Sequence, residues 1–266
     1  MDRFNVTGMS AEESNPSLPL FSLSDVHLRV WPFVMVLLLA AAGMVPGALA
    51  FKLVTSYLTP AQLEAMPWLA GYASETGFLI GALICIGFLS KGRFGEFGLR
   101  LPRGKSYLKT AFLCGVFFGL LMIVVDYLPK LIAHVPPEVV PLTRRSITGQ
   151  LVFEGIFPGV GEEVLFRGLL VTYLSSRISG RIRFLGFDMH IAGVLIALMF
   201  ALAHMSNFWS RPFLQALGQQ VYAFSFGVFY AYWYEKSGSL AAAIVGHNVG
   251  NFVESVIEFL LAALWR

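Results

Sequence analysis

Seven stretches of the chain are apolar over about 20 residues, and this feature constrains the fold more than any other. An α-helix needs about 20 apolar residues to cross the hydrocarbon core of a bilayer. Only 13% of the residues are charged, about half the usual share in a soluble domain. We therefore predict an all-α, polytopic integral membrane protein. The predicted spans are 31–51, 68–90, 107–126, 147–175, 190–208, 213–234 and 239–264.

The fourth and seventh segments are longer than one crossing requires, so we predict seven to eight transmembrane helices around a polar cavity within the membrane. Pro158, with glycines on both sides, favours a bend in the fourth segment. Residues 1–25 are polar and lack the basic-then-apolar order of a cleaved signal peptide. We predict that they form a flexible cytoplasmic N-terminal tail, and that 26–266 form a single transmembrane domain.

Lysine and arginine are distributed unevenly between the two ends of the predicted helices. Twelve fall in the N-terminal tail, the 91–109 and 177–183 connections and at Lys236, against six on the other side. The positive-inside rule therefore predicts a cytoplasmic N-terminus. The compact length favours the plasma membrane of a prokaryote. The net charge is only +3 and no basic helix resembles a DNA reader, so we expect membrane lipids and no nucleic acid as partners.

Three charged residues interrupt the fourth span: Glu162, Glu163 and Arg167. A charge at the centre of a membrane helix costs about 2.5–3.5 kcal/mol on insertion scales. Glu163 and Arg167 are four residues apart on one helix face, with the acid first, so they can neutralise each other. Glu162 lies about 100° away around the helix. It must therefore face a polar partner on another element.

Two other spans offer such partners at a similar depth. His204 ends the FALAH sequence of the fifth span, and His247 and Asn251 share a helix face in the GHNVGN sequence of the seventh. Together with Glu162 they lie roughly 12–21 Å from the inner membrane boundary. A carboxylate beside a histidine can deprotonate a water, and a second histidine and an amide can donate hydrogen bonds to an oxyanion. The set fits hydrolysis of an amide bond by an activated water.

These stretches resemble the CAAX-protease and bacteriocin-processing family of intramembrane proteins. The family's motifs are EExxxR, FxxxH and HxxxN, and they occur here in the same order over about 145–258. The matching residues are Glu162, Glu163 and Arg167, then Phe200 and His204, then His247 and Asn251.

The resemblance implies an intramembrane endopeptidase that cleaves near the C-terminus of a membrane-anchored, in its best-understood members prenylated, substrate at the cytoplasmic side. It implies that Glu162 is the catalytic glutamate and activates water with His204. His247 and Asn251 would form the oxyanion hole. Glu163 and Arg167 would support the first motif. No cofactor is implied.

Several alternatives stay open at this point. Glu162, His204 and His247 could form a two-histidine, one-carboxylate zinc site. Buried charges also mark proton and solute transporters. A scaffold or bacteriocin-immunity protein would have no enzymatic activity at all. Three further acids, Glu154, Glu254 and Glu258, could lie near the membrane edge, bind another helix or contact substrate.

Overall fold

The computed structural model describes residues 21–27, 30–136, 141–184 and 186–265. The described chain is predominantly helical, as predicted. The helices in chain order are α1 (Val30–Tyr57), α2 (Pro60–Ala65), α3 (Trp68–Ser90), α4 (Leu108–Ile132), α5 (Arg144–Glu163), α6 (Thr172–Ser175), α7 (Ile191–Ala203), α8 (Phe213–Ser237) and α9 (Ala241–Leu264). A π-helical segment, Val164–Val171, joins α5 to α6, and short 3₁₀ turns lie at Phe94–Phe97 and Met205–Trp209.

Four helical stretches of the described chain are long and apolar enough to cross a membrane. They are Val30–Tyr57, Trp68–Ser90, Leu108–Ile132 and Ile191–Trp209. On length and composition, the chain is thus an integral membrane protein. Helices α5, α8 and α9 have 20, 25 and 24 residues but do not reach the same level of apolarity. A total of seven or eight spans therefore stays a prediction.

A small antiparallel sheet accompanies the helices and was not predicted. Its strands are β1 (Phe21–His27), β2 (Ser179–Phe184) and β3 (Phe187–His190), in the order β1-β2-β3. Residues 21–25, assigned to the N-terminal tail by the sequence, thus belong to a strand. Residues 1–20 of that predicted tail lie outside the described residues.

Ion pairs hold the β2–β3 hairpin against the end of α8. The Arg181 guanidinium lies 2.7 Å from Asp188 Oδ1 and 2.8 Å from Glu235 Oε1. The other Glu235 oxygen accepts a hydrogen bond from the backbone N–H of His190, at 2.7 Å. These contacts place β1, the connection between α6 and α7, and the end of α8 on one side of the helix bundle.

Backbone contacts add the 91–107 connection to the same side. Leu240 N–H donates to the Gly98 carbonyl at 3.0 Å, and Arg100 Nε donates to the Gly238 carbonyl at 2.7 Å. We call this the basic side, because the lysine- and arginine-rich connections lie there. At the opposite side, Ser146 Oγ donates to the Ala65 carbonyl at 3.0 Å. Within the described residues, the two groups of basic residues separated by the sequence are therefore separated in the fold, while the compartment that each side faces stays a prediction.

Glycines allow α4 and α9 to approach at backbone distance. A Cβ atom added to Gly115 would lie 2.7 Å from the Gly246 carbonyl oxygen, and one added to Gly119 would lie 2.6 Å from the Gly250 carbonyl oxygen. Small residues at such a crossing are how membrane helices gain close van der Waals packing. Helix α9 carries His247 and Asn251, so this packing also fixes the depth of two predicted site residues.

We predict that Gly119→Ala lowers the free energy of unfolding by about 1–3 kcal/mol, because the added methyl group meets a backbone atom that cannot rotate away. Thermal unfolding in detergent measures the change. Gly87→Ala is the matched control, since its Cβ would meet only the Phe94 ring at 3.5 Å, an ordinary contact. Equal melting temperatures for the two variants would contradict the close packing.

We also predict that cysteines placed on the two sides react differently in intact cells. In a background with Cys85 and Cys114 replaced by alanine, exposed Arg145 and Arg103 are each changed to cysteine. The positive-inside rule predicts that an impermeant maleimide labels Arg145→Cys and spares Arg103→Cys. Detergent-opened cells, in which both sites must react, provide the control, and the reverse pattern in intact cells would invert the orientation.

Candidate functional site

A cavity of about 290 Å³ lies between α3, α4, α5, α7, α8 and α9. All four residues predicted to be catalytic line it: Glu162 at the end of α5, His204 just after α7, and His247 and Asn251 on α9. The structure therefore brings these side chains together from three separate parts of the chain. Their chemical roles remain a prediction.

Glu163 forms the buried centre of the polar contacts beside this cavity. Its Oε1 accepts a hydrogen bond from Arg167 Nη1 at 2.9 Å, which is the pairing that the sequence predicted. The same oxygen lies 2.9 Å from His247 Nδ1. Since a carboxylate can only accept, His247 carries its proton on Nδ1 in this contact. The second partner of Glu163 was not predicted, and it links the first motif directly to the third.

Arg167 is completely buried, and aromatic rings stabilise its charge in addition to the one Glu163 oxygen. Its Nε and Nη2 atoms have no hydrogen-bond partner within the described residues. Its guanidinium carbon lies 4.5 Å from the centre of the Phe200 ring and 5.4 Å from that of Tyr230. Aromatic faces attract a desolvated cation. The phenylalanine of the FxxxH motif thus contacts the arginine of the first motif.

The π-helical segment Val164–Val171 begins directly after the two glutamates, and all eight of its residues are buried. Single π-turns within α-helices frequently accompany functional sites, because the wider turn redirects side chains. Here the change of helix type separates Glu163, which closes α5, from Arg167 within the π-helical segment. Helix α5 continues through Pro158, and the bend predicted there stays a prediction.

Asn248 holds the backbone of α5 beside Pro158. Its Oδ1 accepts a hydrogen bond from Gly159 N–H at 2.8 Å, and its Nδ2 donates to the Ile156 carbonyl at 3.1 Å. These two bonds tie α9 to the backbone of α5 on either side of the proline, which itself has no N–H to donate. Sequence reasoning missed this residue. The available signal was an asparagine next to His247 in a span that must pack against a proline-containing helix.

Three side chains surround the imidazole of His247: Glu163, Tyr230 and Glu162. It stacks on the Tyr230 ring, with ring centres 5.4 Å apart and planes 12° from parallel. Its Nε2 lies 3.7 Å from Glu162 Oε2. That distance is too long for a direct hydrogen bond, and a water beside the two atoms could contact both.

His204 reaches the same cavity by another route. Its Nδ1 lies 2.9 Å from the Phe200 carbonyl oxygen, which can only accept, so Nδ1 carries the proton and Nε2 is the free acceptor of the neutral ring. Among the described residues, Glu162 forms its ion-pair contact with His247 and not with His204. The carboxylate–imidazole contact observed here therefore involves the histidine of the third motif.

Glu154 fixes the side chain of Asn251. The Asn251 amide donates to Glu154 Oε2 at 3.1 Å, and Gln150 Nε2 donates to Glu154 Oε1 at 2.9 Å. Glu154 and Glu254, whose placement the sequence left open, both line the cavity. One Asn251 amide hydrogen is occupied by Glu154, and the other is available to a ligand.

The cavity reaches the surface near Arg211, the one exposed residue among those that line it. Arg211 follows α7 and lies on the side opposite the basic side. A cytoplasmic N-terminus and a cytoplasmic mouth therefore cannot both hold. If the charge distribution sets the orientation, the mouth faces away from the cytoplasm, whereas the resemblance implies cleavage at the cytoplasmic side. Both the orientation and the cleavage side stay predictions.

The zinc alternative requires three ligands at one point. Within the described part of the chain, no group of three or more histidine, cysteine, aspartate or glutamate residues is placed to hold a metal ion. Glu162, His204 and His247 share a cavity without forming such a group.

We predict a strongly non-additive double-mutant cycle for Glu163 and Arg167. Arg167→Met leaves a buried carboxylate without its cation and should cost about 3–5 kcal/mol of unfolding free energy. Adding Glu163→Gln removes the orphaned charge and should recover a large part of that loss. Thermal unfolding of the single and double variants measures the coupling, and simple additivity would argue against a buried ion pair.

Comparison with known proteins gives one match. Residues 144–253 match the family model described as type II CAAX prenyl endopeptidase, Rce1-like. The matched segment contains all three motifs and confirms the family resemblance drawn from them. Neither the curated proteins nor the solved structures gave a match.

Proposed function

The segment 144–253 belongs to the Rce1-like family of type II CAAX prenyl endopeptidases, and from this premise we propose that the chain is an intramembrane endopeptidase. Its proposed substrate is a membrane-anchored, lipidated protein or peptide that is cleaved near its C-terminus. The observation that carries the proposal is the meeting of Glu162, His204, His247 and Asn251 at one cavity. The family is one of proteases, and such a site needs no serine or cysteine nucleophile.

In the proposed reaction, Glu162 accepts a proton from a water molecule as the water oxygen attacks the scissile carbonyl carbon. The 3.7 Å gap between Glu162 Oε2 and His247 Nε2 supports a water at this position. His204 offers its free Nε2 to the same water. When the C–N bond breaks, the proton held by Glu162 or His204 passes to the leaving amine.

The negative charge on the carbonyl oxygen would be stabilised by Asn251 and His247. Asn251 has one amide hydrogen left after binding Glu154. His247 already donates at Nδ1, so it can donate at Nε2 only as an imidazolium, whose charge would face Glu163 and Glu162. Glu163 and Arg167 act as positioning residues that hold this ring in place.

We predict that Glu162→Gln abolishes cleavage of a farnesylated CAAX peptide by the purified full chain while leaving its melting temperature unchanged. The amide keeps the size of the side chain but cannot accept the proton of water. The expected loss is at least 1000-fold in kcat/KM, of the size seen when an essential base is removed. Mass spectrometry of the products measures it.

Glu64→Gln, an exposed substitution on α2, is the matched control and should cleave like the wild type. Full activity of Glu162→Gln would contradict the mechanism. Activity lost on exhaustive chelation and restored by zinc would favour the metal alternative. Flux of protons or a solute without peptide cleavage would indicate a transporter. A biological effect that persists in both Glu162→Gln and His204→Ala would indicate a scaffold or immunity protein.

A further inference from the structure

Acidic side chains greatly outnumber basic ones around the cavity. Five carboxyl groups line it, and Arg211 is the single lysine or arginine among the lining residues, all of which belong to the described chain. The five acids are Glu75, Asp126, Glu154, Glu162 and Glu254. The proposed chemistry uses Glu162, and Glu154 orients Asn251. The other three have no part in that chemistry.

Glu75 is the most unusual of these three. It lies on α3, its side chain is 8% exposed, and its Oε2 has no hydrogen-bond partner among the described residues. A Cβ atom added to Gly161 would lie 2.5 Å from this oxygen, which places the carboxyl group against the backbone next to Glu162. A buried carboxylate without a donor is costly, so this group requires either a proton or a cationic ligand.

A second acidic group lies nearer the mouth. Asp126 on α4 and Glu254 on α9 both line the cavity. Asp126 Oδ2 accepts a hydrogen bond from the Tyr222 hydroxyl at 3.3 Å, and its Oδ1 is buried without a hydrogen-bond partner among the described residues. The only ion-pair partner of Asp126 within the described residues is Arg211, at 3.6 Å, and the Arg211 side chain is 44% exposed. Because solvent screens this single arginine, it balances only part of the negative charge of the two carboxyl groups.

Two of the acids that have no catalytic use come from helices before the segment shared with the family. Glu75 lies on α3 and Asp126 on α4, whereas Glu254 directly follows residues 144–253 on the helix that carries His247. The matched segment supplies the residues proposed to do chemistry, and α3 and α4 supply additional negative charge. This division is the one expected if the extra acids select a substrate that is particular to this chain.

The geometry points to a subsite for a basic side chain, lysine or arginine, of the peptide substrate, formed by Glu75 next to Glu162 and by Asp126 and Glu254 towards the mouth. This inference rests on the proposed peptidase function. An ammonium or guanidinium group supplies the donors that the unpartnered Glu75 oxygen lacks, and it needs no resident metal ion.

The dimensions limit where the basic residue stands in the substrate. His247 at the proposed reaction centre and Glu254 of the subsite are seven residues apart on α9, which is about 10 Å along the helix. An extended peptide covers about 3.3–3.6 Å per residue. The basic residue therefore lies within about four residues of the scissile bond, on the part of the substrate that leads to Arg211.

The test measures binding separately from cleavage. Farnesylated peptides with an N-methylated, uncleavable scissile bond carry lysine at one position within four residues of that bond, and the farnesylated cysteine is kept in every peptide. Each is paired with a peptide that has uncharged norleucine at the same position. We expect the purified full chain to bind at least one lysine peptide about tenfold more tightly than its norleucine partner, as a charge-assisted hydrogen bond provides. Fluorescence anisotropy gives both affinities.

Glu75→Gln and Asp126→Asn should each move this affinity ratio towards one, whereas Glu64→Gln should leave it as in the wild type. Equal affinities at every position, or binding of neither peptide series, would overturn the subsite. The buried carboxyl groups would then be neutralised by protons. Cleavage of an unmethylated norleucine peptide tests the proposed function on its own, so a failed subsite and a failed peptidase give different results.

Discussion

The fully buried contact of Glu163 with Arg167 and His247 is the interaction on which the rest of the site depends. One carboxylate oxygen accepts from both partners at 2.9 Å, where no water is available to replace either of them. Breaking one contact leaves a charge without compensation in a low-dielectric interior. The contact therefore fixes the relative position of α5, the π-helical segment and α9. It also determines which way the His247 ring faces the cavity.

Around this contact the chain arranges polar groups in successive layers. Phe200 and Tyr230 cover the Arg167 guanidinium, and Tyr230 also stacks on His247. Asn248 binds the backbone of α5 beside Pro158, and Glu154 orients Asn251. Arg167 Nε and Nη2 have no hydrogen-bond partner among the described residues, and the aromatic faces around the guanidinium stabilise its charge instead. A site built this way is preorganised, because its donors and acceptors are in place before a ligand arrives.

The length of the apolar stretches predicted most of the helices, and spacing and depth along them predicted that the four site residues lie near one another. The predicted span 68–90 coincides with Trp68–Ser90, because span limits depend on local composition. The sheet was missed because β1 and β2 are separated by more than 150 residues, and their pairing leaves no local pattern. The second partner of Glu163, the role of Asn248 and the placement of Glu75 were missed for the same reason. Spacing along one helix indicates a shared face, but it does not identify which residue of another helix faces it.

The glycine contacts between α4 and α9 also have a mechanical consequence. Two helices whose backbones touch at successive turns cannot slide past each other without losing the fit of every turn, so they behave as one rigid body. Asp126, on one of them, keeps a constant height relative to His247 and Glu254 on the other. Any movement that admits a long polypeptide must therefore take place where this pair meets other helices, and Asp126 and Glu254 would move together during it.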